Sequence, residues 1–256
     1  MTLIRPRALL LDFGGVIVTT TRRPAWAADL TAEVVAMLTA AGCAEPDPDA
    51  VERDIVAGAA ADSAWKNAMS RLPRPAELTP RMFWADFVAG DWPPAARAVV
   101  TGQAWLLCRR MGELRSIRTM RNGLPALLDA AAQAELPVVV VSNALSGVVH
   151  RDWLERAGMD KHFAFQIYSD EVGLRKPNPE IVWLACEGLG LAPADVWYVG
   201  DNFDRDVACG RRAGVGATVL MNDHGTDDLP FPVAARPDAV VDDPAGLLIL
   251  LRDVLT

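Results

Sequence analysis

The feature that most constrains this chain is a set of five short, nearly all-apolar runs, at residues 8–11, 138–141, 196–199, 217–220 and 239–241. Most end in a glycine or a polar residue. Runs this short, rich in β-branched residues and without polar alternation, read as strands covered on both faces. Between the later runs lie segments of helical length. Residues 125–135 are rich in Ala and Leu, and 146–157 open on Ser146 and stop at Gly158. Asn178-Pro179-Glu180 offers a capping residue followed by proline at the first helical position, with a stop near Gly188 or Gly190. Residues 204–213 end at Gly214, and Asp243-Pro244 opens a last helix. Strand and helix alternating at this spacing predict an α/β fold: a doubly wound, Rossmann-like parallel sheet with helices on both faces.

Residues 20–119 have a different texture. They hold no strand-like run, but helix starts at Pro24, Asp47-Pro48-Asp49 and Thr79-Pro80, with breakers at Gly42, Pro73, Pro75 and Pro93-Pro94. A structureless excursion of that length is rare in a compact domain, so the expectation is an all-helical insertion of four to five helices. Its core is expected to draw on Trp26, Trp65, Trp84, Trp92 and Trp105. The predicted division is 1–19 with 120–256 as one domain and 20–119 as the other. Residues 221–237 read as one long loop, and 73–80 as a proline-rich loop between helices.

Composition narrows the function classes. Half the residues (51%) are hydrophobic, enough for a sizeable core. No apolar run approaches the roughly 18 residues that span a bilayer, and the run at 8–11 meets Asp12 at once. A formal charge of −8 disfavours a nucleic-acid surface. Four scattered cysteines without a CxxC pair, and three scattered histidines, make no zinc pattern. A reduced, cytoplasmic protein is expected, with neither membrane nor nucleic acid as partner; a homodimer is compatible with the sequence.

Ligands of an open parallel sheet sit at the carboxyl ends of its strands, so the residues just past each run matter most. Asp12-Phe13-Gly14-Gly15-Val16 succeeds the first, Ser142-Asn143 the second, and Gly200-Asp201, with Asp204 and Asp206 close behind, the third. Lys176, one of three lysines in the chain, lies between the last two in sequence. Singly these residues have ordinary readings: a helix cap at Asp12, a turn at Ser142-Asn143, a favourably charged helix start at Asp204 and Asp206. A cap at Asp12 fits poorly, because two glycines come soon after it rather than a helix. Together they gather acids at the edge of a core, where charge must be balanced. Mg²⁺ with a phosphate balances them: hard oxygens hold the metal, and lysine and hydroxyl hold the phosphoryl oxygens.

In this order the segments resemble the haloacid dehalogenase (HAD) superfamily, in its branch with a helical cap after the first strand. The resemblance covers essentially the whole chain. It is carried by Leu10-Leu11-Asp12-Phe13-Gly14-Gly15-Val16, by Val140-Val141-Ser142-Asn143, by the stretch from Ser169 through Arg175-Lys176-Pro177, and by Val199-Gly200-Asp201 through Asp206. It implies that Asp12 is a nucleophile forming an acyl-phosphate. Asp12, the Gly14 carbonyl and Asp201 would hold Mg²⁺, with Asp206 holding or orienting that shell. Ser142 and the backbone around Asn143 would bind phosphoryl oxygens, and Lys176 would neutralise shared charge. It also implies a small phosphorylated substrate and a cap that sets specificity, hinged near residues 19–23 and 117–122.

One position departs from the family pattern. Most phosphatases of the superfamily carry a second Asp two residues after the nucleophile, as proton donor; here that residue is Gly14. General acid help is worth ~10²–10⁴-fold. The expected substrate therefore has a good leaving group: an anomeric phosphate, an enol or aryl phosphate, or an acyl phosphate. Two alternatives stand beside this reading. One is a metal-independent 2-haloacid dehalogenase-type hydrolase, in which a departing halide needs no proton. The other is a catalytically weak binding or regulatory protein on the same scaffold. Arg115, Arg118 and Arg121 are expected to be mostly solvated, or else to meet an anionic substrate.

Overall fold

The structure is a computed structural model, and it describes residues 3–255. In chain order the elements are β1 (Ala8–Leu11), β2 (Val18–Arg22), α1 (Trp26–Ala40), α2 (Pro48–Met69), α3 (Pro80–Met82, continuing into a π-helical turn, Phe83–Val88), α4 (Pro94–Gly102), α5 (Ala104–Arg115), β3 (Ser116–Met120) and α6 (Leu124–Gln133). Then come β4 (Val138–Ser142), α7 (Val148–Arg156), β5 (Phe165–Tyr168), α8 (Ser169–Val172), α9 (Glu180–Leu189), β6 (Val196–Gly200), a second π-helical turn (Phe203–Val207) leading into α10 (Ala208–Ala213), β7 (Ala217–Met221), β8 (Ala239–Val241) and α11 (Pro244–Leu255).

Six strands form a sheet in the order β5-β4-β1-β6-β7-β8, and every neighbouring pair in it is parallel. The absence of polar alternation has a direct cause. Along β1, Leu9 and Leu11 enter one core with Leu124, Leu127 and Leu128 of α6 and Leu247 and Leu251 of α11. Ala8 and Leu10 enter the other, with Ile181, Val182 and Ala185 of α9 and Cys209 of α10. The chain order reverses direction about β1, the topological switch point at which open α/β sheets bind ligands. β5, Phe-Gln-Ile-Tyr, was not among the expected strands. It is an edge strand, half-buried at Phe165 and Gln166, and so lacks the continuous apolar signature.

The described residues fall into two compact units. One comprises residues up to Thr20, 70–77 and 118 onward; the other comprises 21–69 and 78–117. The proline-rich stretch 70–77, placed by sequence in the insertion, groups with the sheet. Glu77 is the reason: its carboxylate pairs with Arg175 at 2.7 Å, both buried, and accepts a hydrogen bond from Ser169. The insertion is also not strand-free. β2 and β3 pair at its two ends, with Arg23 N donating to Arg115 O and Arg121 N to Ile17 O. Three consecutive threonines give β2 its β propensity.

Within the helical unit, Asp47 caps α2 through the Ala50 N–H, and Thr79 caps α3 through the Met82 N–H. Trp26, Trp84 and Trp92 are buried, and Trp92 Nε1 donates to Asp54 at 2.8 Å. Trp65 is half-buried. Trp105 is 60% exposed, contrary to expectation. The buried face of α5 is Ala104, Leu107, Cys108 and Met111, a helical stripe that Trp105 lies off.

Candidate active site

Asp12 leaves the end of β1 with its backbone N–H bonded to Val199 O, which fixes it beside β6. Ser142 ends β4, and Asp201 comes directly after Gly200 at the end of β6. These residues, with Gly14, Asn143, Lys176 and Asp206, line one cavity of about 270 Å³. Asp12, Asp201 and Asp206 each present a carboxylate oxygen within 4.8 Å of the others.

Lys176 stands among them. Its Nζ lies 2.8 Å from Asp12 Oδ1, 2.6 Å from Asp206 Oδ1 and 3.2 Å from Val141 O. Burial opposes its charge, but the two carboxylates outweigh burial and hold the ammonium above the ordinary lysine range. For Asp12, burial dominates and raises the pKa, while Lys176 and a Ser142 hydrogen bond favour the charged form. Asp201 is raised well above the carboxylate range by burial, then by Asp206 and Asp12.

Three carboxyl groups therefore share one buried site with a single ammonium, and a divalent cation with oxygen ligands fits that donor set. Two glycines make the convergence possible. A Cβ on Gly15, whose φ is +69°, would collide with the Asp201 carboxylate, and one on Gly200 would collide with Asp206. A Cβ on Gly14 would meet nothing within 4 Å.

Two expected site residues, Asn143 and Asp206, both line the cavity and make further local bonds. The Asn143 side chain clamps the Lys176 peptide: Oδ1 accepts from Lys176 N at 2.8 Å, and Nδ2 donates to Lys176 O at 3.2 Å. Its amide positions the lysine. Asp206 accepts from Lys176 and from the Tyr198 hydroxyl at 2.8 Å on Oδ1, and from Asn202 N at 3.0 Å on Oδ2. So placed, it orients neighbouring groups. Asp204 is buried, with Arg205 Nε 3.5 Å away, and does not line this cavity.

Other contributors carry little signal in the sequence. Tyr198 reads there as one more apolar strand residue. Arg121 is neither solvated nor open to substrate: it is buried and donates to the carbonyls of Gly15, Asn222 and Asp242. It thereby ties the turn after Asp12 to the loop after β7. His150, Asp223 and His224 also line the cavity. Burial, reinforced by Arg118 and Arg151, pushes the His150 pKa well below the usual imidazole range.

A family model for haloacid dehalogenase-like hydrolases matches residues 6–214, and the chain belongs to that family. Over 111 residues it is 33% identical to a glyceraldehyde 3-phosphate phosphatase of Methanopyrus kandleri, covering 43% of this chain and 48% of that one. Over 118 residues it is 35% identical to a phosphoserine phosphatase of Thermus thermophilus, covering 46% and 45%. The chain thus spans about half the length of the curated relatives it matches. Among solved structures, a HAD phosphatase from Thermococcus onnurineus aligns with TM-score 0.59 at 17% identity, over 95% of this chain and 97% of that one. A 2-haloacid dehalogenase from Pseudomonas syringae pv. Tomato aligns with TM-score 0.62 at 16% identity, over 98% and 99%. At such identities these two share the fold. Among the described residues no helix is long and apolar enough to cross a membrane.

Proposed function

We propose that this protein is a Mg²⁺-dependent phosphohydrolase of small phosphorylated metabolites, working through an aspartyl-phosphate on Asp12. The observation that carries the reading is the meeting of Asp12, Asp201 and Lys176 in one cavity, an oxygen donor set that a divalent cation would join. Relatives named as phosphatases agree with it. Asp12, the Gly14 carbonyl and Asp201 would hold the ion, with Asp206 orienting the surrounding groups. The ion supplies charge neutralisation at the phosphoryl oxygens.

The chain's own residues do the rest. An Asp12 carboxylate oxygen attacks phosphorus, and the bond to the leaving oxygen breaks, with the electron pair departing on that oxygen. A carboxylate approaching a phosphate dianion meets like-charge repulsion, which the fixed ammonium of Lys176 reduces. Ser142 donates to a phosphoryl oxygen. Water then displaces the Asp12 oxygen from phosphorus. Gly14 provides no proton donor, so substrates with acidic leaving groups are favoured. The helical unit would act as a cap that sets specificity and excludes water. A dehalogenase reading fits less well, because displacing a halide needs no metal and leaves the convergence of Asp201 and Asp206 on Asp12 without a use.

The test is a panel of phosphomonoesters with Mg²⁺, rates being set against leaving-group acidity. Rates that rise with acidity, and vanish in Asp12→Asn, support the proposal. A flat dependence removes the leaving-group argument, and metal-free halide release from 2-chloropropionate replaces the whole reading.

A further inference from the structure

Gly14 leaves the second chemical step with an unfilled role. A good leaving group departs without a proton, but every aspartyl-phosphate still needs water activated at phosphorus. We infer that His224, oriented by Asp223, is the base that takes the proton from that water, an inference that rests on the phosphohydrolase reading above.

The geometry sets His224 in the loop after β7, on the wall of the cavity that holds Asp12 and Gly14. Its Nδ1 lies 3.1 Å from Asp223 Oδ2. A ring protonated at Nδ1 would face that carboxylate and leave the Nε2 lone pair for the water. Asp223 is itself held: its Oδ1 is 3.6 Å from Arg121, and its backbone N–H donates to Thr226 Oγ1 at 2.9 Å. Arg121 also donates to Gly15 O, so one guanidinium sets both the histidine's partner and the turn after the nucleophile. The charged groups lining the cavity with His224 are Asp12, Lys176, Asp201, Arg205, Asp206 and Asp223, and Arg121 sits behind Asp223.

His150 lines the same cavity but suits the task less. A base ends the step as a cation, and His150 would hold that charge buried and beside Arg118 and Arg151. His224 is 69% exposed and has the Asp223 carboxylate 3.1 Å from its Nδ1, so its ring is neither buried nor set beside a guanidinium pair. In the step, the water oxygen bonds to phosphorus and the bond from phosphorus to the Asp12 oxygen breaks. One water proton moves to Nε2. Asp12 is regenerated as a carboxylate, and inorganic phosphate leaves.

The experiment is pre-steady-state hydrolysis of p-nitrophenyl phosphate with Mg²⁺ by the full chain, comparing wild type, His224→Ala, Asp223→Asn and His150→Gln. His224→Ala is expected to keep the rate of the nitrophenolate burst while steady turnover falls ~10²–10⁴-fold. Acid-quenched enzyme should then carry phosphate on Asp12, and added imidazole should restore turnover. Asp223→Asn should show the same pattern more weakly. Unchanged turnover in His224→Ala with no accumulated phosphoenzyme overturns the inference, as does accumulation in His150→Gln alone. A wild type that forms no phosphoenzyme and hydrolyses no phosphomonoester overturns the phosphohydrolase reading itself, and the inference with it.

Discussion

The Lys176 ammonium lies 2.8 Å from Oδ1 of Asp12 and serves Asp206 and the Val141 carbonyl at the same time. It donates to Asp206 and to Val141 O and pairs with the Asp12 carboxylate, all of them buried. Lys176→Met therefore leaves the carboxylates of Asp12, Asp201 and Asp206 without their nearest cation. Turnover of an aryl phosphate with Mg²⁺ is expected to fall by ~10²–10³-fold. In metal-free buffer, urea unfolding should show a loss of about 3–5 kcal/mol, the usual cost of breaking a buried pair. Lys176→Arg should not rescue activity, because a planar guanidinium does not fit a slot shaped for one ammonium.

The ion pair between Glu77 and Arg175 calls for a separate test, since it anchors 70–77 to the sheet-bearing unit. Glu77→Ala removes the carboxylate paired with a buried guanidinium and an acceptor from Ser169, whose hydroxyl also accepts from Ala144 N at 2.8 Å, one residue past Asn143. Denaturant unfolding should register a loss of about 3–5 kcal/mol. The double variant Glu77→Leu with Arg175→Met should lie closer to wild type than Glu77→Ala does, because both charges of the pair leave together. A Glu77→Ala protein as stable as wild type would show that Arg175 finds another partner without cost.

These two pairs mark how far the sequence could be read. Asp12 and Lys176 are distant in the chain, yet Asp12 sits at the end of a strand-like run and Lys176 lies between two such ends, which meet at a switch point. The core was legible because Leu9 and Leu10 face opposite sides and both are apolar. Glu77 was not legible, since a lone acid in a proline-rich segment carries no periodic signal. Arg121 was misread for a related reason: its acceptors are mostly backbone carbonyls, which leave no trace in residue identity. Asn143 lines the cavity just past its strand, but the bond from its side chain to Lys176 depends on a loop geometry that residue identity does not encode.

Asp170 gives the fold a pH dependence of known sign. Burial raises its pKa to about 6 from 3.8, although the Gly147 N–H, 3.0 Å from Oδ2, favours its charged form. A carboxyl raised in the folded state binds its proton more tightly there than in the unfolded chain. Its contribution to stability is therefore fully present below the unfolded pKa, and is lost as pH rises through about 6. Asp170→Asn removes that titration and keeps a side-chain oxygen for Gly147. The unfolding free energy of the variant relative to wild type should rise between pH 4 and about 6 and then level off. A difference that falls over that window would contradict the assignment.

Gly14 offers a gain-of-function test, since an added Cβ there meets no atom within 4 Å and its backbone has no positive φ. Gly14→Asp should be accommodated without displacing Asp12 or the turn behind it. The new carboxyl can protonate a leaving alkoxide, which Gly14 cannot. The prediction is selective: kcat/KM for an alkyl phosphate should rise relative to that for an aryl phosphate by ~10²-fold or more, because only the poor leaving group lacks what the acid supplies. Leaving-group dependence measured for both proteins under Mg²⁺ checks it, and the slope for the variant should be shallower. The same carboxyl, once deprotonated, can accept a proton from water, so Gly14→Asp should also restore turnover to His224→Ala. Equal slopes in the two proteins would mean that the missing acid does not limit this site.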